Sequence, residues 1–313
     1  MTIGLVSLVL LAIATKFWSD NSKAVGVTWF NDIKCKPDVT CEVHSDDKVW
    51  NSPEDVKISS GYQNSVARRS TDLIARIIIA ETSGNITSPP SLVLHGTFKN
   101  HPQDPTFGGL WLDSKNTAWI AFRGTLSNTL REWQDDFQYN QESLPASKIK
   151  SAALQSTFTL LNDSDSTAQV HSGFMDVYNM FRTNLRKALK DINPNNIVIS
   201  GHSLGGGVST LCAVDLANIY PGKVVSYTFA APRVGNSQLC SLIEQRLKIY
   251  RIVNSCDLVP TLPPSVCPNF TNPEIPFFYQ QCGQLVSFTS NWKSIGNNHE
   301  LAVYIDGLQK ISI

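Results

Sequence analysis

Residues 197–207 read Ile-Val-Ile-Ser-Gly-His-Ser-Leu-Gly-Gly-Gly and hold the most concentrated chemistry in the 313-residue chain. Within them lies Gly201-His202-Ser203-Leu204-Gly205, a G-x-S-x-G pattern. An apolar run leads into it and a helical pattern of small residues follows. That strand–turn–helix context separates a nucleophile site from a chance glycine-rich turn. A serine on so tight a turn has its hydroxyl pushed out of the backbone. The flanking Gly201 and Gly205 lack Cβ atoms, so neighbouring backbone can approach closely. The following helix aims its free N–H groups and the positive end of its dipole at the same place.

A serine hydroxyl is a weak nucleophile until a base takes its proton, and the base needs an acid to orient it. For a serine on this kind of turn the chain order is Ser, then Asp or Glu, then His. Of six histidines, only His299 follows Ser203 with room for an acid between them. It sits in Gly296-Asn297-Asn298-His299-Glu300, which reads as a loop before the last apolar segment. The acids available between are Asp215, Glu244, Asp257 and Glu274. Asp215 falls inside the helix after the serine, Glu244 on the next amphipathic stretch, and Glu274 between Cys267 and Cys282. Asp257 follows a strand directly, and site residues of open α/β sheets come from loops at the strands' carboxyl ends. Asp257 is therefore the candidate acid, against a plain turn-capping role before Val259-Pro260.

Attack on an acyl carbon also needs donors for the oxyanion, each worth about 2.7–4 kcal/mol in the transition state. The backbone N–H of Leu204 is one candidate. Thr125 is the second, through its N–H and hydroxyl, because Phe122-Arg123-Gly124-Thr125 ends an earlier strand.

These groups need a scaffold that converges on one edge. The chain offers strands alternating with helices. Ser65–Ala80 has helical spacing. Gly109–Leu112 and Thr117–Arg123 are β-like and joined by the turn residues Asp113-Ser114-Lys115-Asn116. Phe174–Leu189 carries Phe174, Val177, Tyr178, Phe181, Leu185 and Leu189 on one face. Ile197–Ser200 is a strand and Leu204–Tyr220 a helix. Val224–Ala230 and Lys248–Val253 are strands, and Leu301–Leu308 is a short helix or strand. This alternation predicts an α/β fold around one sheet, in one domain without repeats.

Composition narrows the function classes. With 26 basic against 26 acidic residues the formal charge is zero, which argues against a mainly electrostatic partner such as nucleic acid. No spacing of the seven cysteines resembles a zinc site, and no cofactor fingerprint appears. Residues 3–14 form an apolar run too short for a comfortable membrane span, with a small-x-small site at Ala12-Ile13-Ala14. They read as a signal peptide over 1–14, the alternative being an anchor extended by Phe17 and Trp18. Secretion is the expected localisation, membrane anchoring the alternative. Residues 15–60 are a polar N-terminal extension. Cys35 with Cys41, Cys240 with Cys256 and Cys267 with Cys282 are three pairings open to disulfides, with connectivity undetermined. Cys212 reads as a buried thiol. Asn85-Ile86-Thr87, Asn162-Asp163-Ser164 and Asn269-Phe270-Thr271 are glycosylation triplets.

The segments AFRGT, VHSGF, VISGHSLGGG, YTFAAPRVGN and RIVNSCDLVPTLPP, with the late histidine, stand in the order seen in class 3 lipases. The chain resembles that family, the filamentous-fungal triacylglycerol lipase and feruloyl esterase group, over roughly residues 60–310. The resemblance implies an α/β-hydrolase fold with a central, mostly parallel sheet flanked by helices over residues 61–313. It implies a metal-free site with no cofactor, and a lipid or ester substrate met at an interface, with transient contact at a membrane or lipid-droplet surface. Ser203 would be nucleophile, Asp257 acid, His299 base, and Thr125 with Leu204 the oxyanion hole. His171 in VHSGF reads as structural. Leu126, Leu130 and Trp133 fall on one face of a short amphipathic stretch, which in the family is a lid; a permanently packed surface helix is the bland alternative. The expected activity is acylglycerol hydrolysis through an acyl-enzyme. Phospholipase A1, feruloyl or short-chain esterase, acyltransferase and a non-catalytic lipid-binding homologue are the alternatives.

Overall fold

The structure is a computed structural model that describes residues 56–58, 61–99, 103–125, 141–143, 168–267 and 274–311. The expected signal segment, most of the extension, the triplets at Asn162 and Asn269, Cys35, Cys41, and the lid candidates Leu126, Leu130 and Trp133 lie outside those residues.

The first helix, α1, is Asn64–Ser83, ended by Gly84 in the left-handed conformation. Strands β1 (Leu92–Phe98), β2 (Gly108–Asp113) and β3 (Thr117–Phe122) follow. The turn into β3 is held by Asp113, whose carboxylate accepts from the N–H groups of Lys115 and Thr117. Two short strands, β4 (Gln141–Ser143) and β5 (Gln169–His171), pair antiparallel. Helix α2 is Ser172–Ile192, and its N-cap is His171, whose Nδ1 accepts from the Gly173 N–H. Then come β6 (Asn196–His202), α3 (Leu204–Ile219), β7 (Val224–Phe229), α4 (Ser237–Arg246) and β8 (Lys248–Asn254). A 3₁₀ turn at Val259–Thr261 leads to a small hairpin, β9 (Val266–Cys267) and β10 (Phe277–Phe278). The chain closes with β11 (Gln284–Phe288), the five-residue helix α5 (Ile295–His299) and α6 (Leu301–Lys310).

Seven strands form one sheet in the order β1-β2-β3-β6-β7-β8-β11. The β1–β2 and β2–β3 pairs are antiparallel; every later pair is parallel. Parallel neighbours need crossover helices, and these cover both faces. The period of two sorts the side chains: Ile197 and Ile199 of β6 join the cluster under α2, α3 and α4, while Val198 joins the cluster under α1 and α6. Helix α3 is buried without a break from Gly205 to Ala217, because the sheet lies beneath it and α2 beside it. Its interior carries one full charge, Asp215. That carboxylate bonds Tyr178 at 2.7 Å, Arg182 at 2.7 Å and Arg186. An acid facing the α2 arginines is taken up structurally and does not face the serine.

Of the two readings open for segment 301–308, the structure has the helix, since its apolar stripe packs on β8 and α1. Two other expectations change. His299 does not sit in a loop but ends α5, capped at its start by Ser294 accepting from the Asn297 N–H. Among the described cysteines, the disulfide joins Cys240 to Cys282, across the two bracketed pairs, leaving Cys256 and Cys267 as free thiols. Helix α4 and the segment after β10 run side by side, pinned where the Gln280 N–H bonds the Gly235 carbonyl. Cys212 is a buried thiol. No described helix is long and apolar enough to cross a membrane.

Candidate active site

The carboxyl ends of β3, β6, β7 and β8 lie along one edge of the sheet. Ser203 follows β6 with φ 56° and ψ −125°, a left-handed φ that costs a residue with a Cβ about 1–3 kcal/mol. The surroundings over-determine it. Its N–H bonds the Phe229 carbonyl of β7 at 2.9 Å, and its carbonyl takes the Gly206 and Gly207 N–H groups. Gly205 packs on the end of β3, where an added Cβ would lie 2.6 Å from the Phe122 oxygen. Gly201 packs against the Gly205 carbonyl with no room for a Cβ. These contacts hold the hydroxyl at the mouth of α3.

His299 faces it. Its Nε2 is 2.8 Å from Ser203 Oγ, and its Nδ1 is 2.8 Å from Asp257 Oδ2. Asp257 can only accept from the ring, so Nδ1 carries the proton and Nε2 offers its lone pair to the hydroxyl. The carboxylate is itself fixed: Oδ1 accepts from the Val259 N–H at 2.9 Å and Oδ2 from the Tyr304 hydroxyl at 2.6 Å. Burial, then the neighbouring Asp257, push the Tyr304 phenol well above its usual range, so it stays a donor. Asn254 at the end of β8 ties the loops together, donating to the Ser290 and Asn298 carbonyls and accepting from the Ser290 N–H. Asn298 in turn donates to the Cys256 carbonyl beside the acid. Ser203, His299 and Asp257 are at most 3% exposed, so the hydrogen-bonded line is buried along its whole length.

The sequence-derived candidates therefore meet: Ser203, His299 and Asp257 form one hydrogen-bonded line. Thr125 lies beside them. A Cβ on Gly124 would come 2.9 Å from Ser203 Cβ, and the Thr125 hydroxyl oxygen is buried without a hydrogen-bond partner among the described residues. Leu204 opens α3, and its N–H precedes the first N–H of the helix ladder, leaving it available. An orphaned donor beside a helix N-terminus is the arrangement that stabilises a developing oxyanion. Glu274 is exposed and Glu244 lies on α4, so neither competes with Asp257. Among the described residues no three His, Cys, Asp or Glu side chains cluster to hold a metal.

Sequence reasoning missed Tyr304, Asn254 and the ring of His202. Tyr304 looked like one more apolar residue of the last segment, although it stands five residues beyond His299. Asn254, a polar residue closing an apolar strand, carried a readable signal. His202 carried none, since its role depends on a residue 97 positions away.

Residues 119–267 match the family model for lipase (class 3). The chain is 31% identical over 162 residues to a lipase from Rhizomucor miehei, covering 49% of this chain and 39% of the relative. It is 34% identical over 164 residues to secreted mono- and diacylglycerol lipase A of Penicillium cyclopium, covering 50% and 47%. It is also 33% identical over 163 residues to a chloroplastic phospholipase A(1) of Arabidopsis thaliana, covering 48% and 34%. The chain thus spans between a third and a half of the length of these curated relatives. Among solved structures, a triacylglyceride lipase of Rhizomucor miehei superposes with a TM-score of 0.55 at 24% identity, over 75% of this chain and 84% of that one. A triacylglycerol lipase described as having a serine protease triad at its catalytic centre gives 0.56 at 23% identity, over 75% and 83%. Those likenesses establish the α/β-hydrolase fold.

Proposed function

We propose that this chain, whose residues 119–267 match the class 3 lipase family model, is a serine hydrolase of carboxylic esters that cleaves acylglycerols through an acyl-enzyme. The observation that carries the reading is the line Asp257–His299–Ser203, with both hydrogen bonds at 2.8 Å and the serine on a left-handed turn at the head of a helix. His299 takes the Ser203 proton as the oxygen attacks the acyl carbon. Asp257 stabilises the imidazolium formed, and the Leu204 and Thr125 donors receive the oxyanion. The proton then passes from His299 to the departing alcohol. Water, deprotonated by His299, releases the fatty acid in the second half.

Acylglycerol is favoured over a soluble ester because secreted relatives are named for mono- and diacylglycerols. The secreted relatives, together with the disulfide, support secretion of this chain. The phospholipase relative gives a second headgroup class to set against the first.

The test is hydrolysis of tributyrin across its solubility limit, of dioctanoylglycerol, and of phosphatidylcholine, each by wild type and Ser203→Ala. We expect acylglycerol turnover that rises at the limit and is lost by at least about 10⁴-fold in the variant. Turnover unchanged in Ser203→Ala rejects the mechanism. A preference for phosphatidylcholine moves the substrate class to phospholipid.

A further inference from the structure

Beside the hydrogen-bonded line stands a second imidazole, that of His202. Its backbone immediately precedes the candidate nucleophile. Its ring is 7% exposed and reaches across to the candidate base. Nε2 lies 2.8 Å from the backbone carbonyl oxygen of His299. The two imidazole centroids are 4.9 Å apart, tilted by 36°, and the Tyr304 ring meets His202 edge-on at 5.7 Å. On its other side His202 abuts the oxyanion segment: a Cβ on Gly124 would sit 3.2 Å from its Nδ1. One side chain thus lies against the base, the residue that binds the acid, and the glycine before Thr125.

The chemistry of the ring follows from its partner. A carbonyl oxygen only accepts, so Nε2 carries the proton and Nδ1 does not. The titratable groups facing the ring are the His299 imidazole and the Tyr304 phenol, with Asp257 beyond them. Burial first, then the charge of a protonated His299, hold His202 well below the ordinary histidine range; its bond to the His299 backbone opposes them. The ring therefore stays neutral when its neighbour is charged.

His299 needs such an anchor. It ends a helix of only five residues, which has little stability of its own. Its carbonyl belongs to the last turn, where helix carbonyls have no partner along the helix. Asn254 holds the preceding carbonyl, that of Asn298, at 3.1 Å. His202 holds the next one, from the nucleophile's side.

We propose that His202 is a positioning residue, whose neutral Nε2–H grips the His299 carbonyl and so sets the distance and angle between the imidazole and Ser203. The proposal rests on reading Ser203, His299 and Asp257 as a triad. The link is short: His202 is covalently joined to the nucleophile and hydrogen-bonded to the backbone of the base. Drift of one relative to the other acts on proton transfer, which needs heavy atoms about 2.6–3.2 Å apart. It leaves acyl-chain binding alone, so the effect belongs in kcat and not in KM.

The experiment compares full-length wild type, His202→Leu and His202→Gln on p-nitrophenyl butyrate, with competent sites counted by stoichiometric labelling with a fluorophosphonate. Leucine removes the donor; glutamine keeps an N–H of similar reach. We expect His202→Leu to lower kcat per labelled site by about 10–100-fold with KM within about two-fold, since small misplacements of a reacting group cost up to about 10². We expect His202→Gln to recover most of that loss. Should His202→Leu not fold, His202→Phe keeps a ring against His299 without the N–H and replaces it in the comparison. Wild-type kcat in the donor-free variant overturns the proposal. So does equal impairment of donor-free and glutamine variants, or a change in KM alone. Failure of wild type to be labelled, with turnover unaffected by Ser203→Ala, overturns the triad and this proposal together. Labelling of wild type at Ser203 with no effect at position 202 overturns this proposal only.

Discussion

Replacing Gly205 with alanine tests whether the end of β3 and the start of α3 are pressed together as the site requires. A Cβ there would lie 2.6 Å from the Phe122 oxygen and 2.8 Å from the Phe122 carbonyl carbon, with the Arg123 oxygen nearer still. Carbon and oxygen come no closer than about 3.3 Å even in weak C–H···O contacts, so the two segments must separate by roughly 0.7 Å or more. All three atoms are backbone, and no side chain can swing away. Overpacking of this kind costs about 1–3 kcal/mol. The better helix propensity of alanine returns at most about 1 kcal/mol. With that return taken in full, the net loss is about 0–2 kcal/mol, a Tm lower by up to about 8 °C. The kinetic effect is larger in proportion, because the segment pushed away carries Thr125, and misplacement by about 1 Å costs on the order of 10² in rate. The assay is thermal unfolding together with kcat on p-nitrophenyl butyrate. Gly296→Ala is the control, since nothing lies within 4 Å of its added carbon. If Gly205→Ala keeps both wild-type Tm and wild-type kcat, the close approach of the two segments is refuted.

Ser203→Gly should be as inactive as Ser203→Ala yet unfold at a higher temperature, because φ 56° strains any residue with a Cβ by about 1–3 kcal/mol. Equal melting of the two variants removes strain from the account of the turn. Asp215→Asn should destabilise by about 3–5 kcal/mol in denaturant unfolding, because it removes the buried charge that Arg182 and Arg186 share; a loss under about 1 kcal/mol contradicts that. Burial holds His171 down to about 4, and its Nδ1 must stay unprotonated to cap α2. The unfolded chain takes up that proton near pH 6.5, so the stability from His171 is complete above about 6.5 and falls as pH drops toward 4. The loss amounts to about 3 kcal/mol. His171→Asn keeps a cap acceptor without the titration, and should flatten the pH dependence of urea unfolding over that window. An unchanged slope would count against a neutral buried histidine.

Much of this protein is local. Gly201-His202-Ser203-Leu204-Gly205 between an apolar run and a small-residue helix marks the candidate nucleophile turn, because β3 pressing on Gly205, and the Gly205 carbonyl on Gly201, leave no room for a Cβ at either glycine. The alternation of apolar segments announces a sheet covered on both faces. His299 could be ranked by chain order and Asp257 by its place directly after a strand. Edge strands were less legible: β1 and β11 are largely exposed, with burial at few positions, so no apolar rhythm marks them. The pairing of Cys240 with Cys282 was likewise closed to the sequence, since it follows from α4 running beside the segment after β10. Tertiary structure alone decided how the line is held: Tyr304 on Asp257, Asn254 across two loops, His202 on the His299 carbonyl. Such bonds join residues 36 to 97 positions apart, and a hydrogen bond depends on separation in space to within tenths of an ångström. Residue types set which groups could donate and accept; only the closing of the sheet and its helices set which of them met.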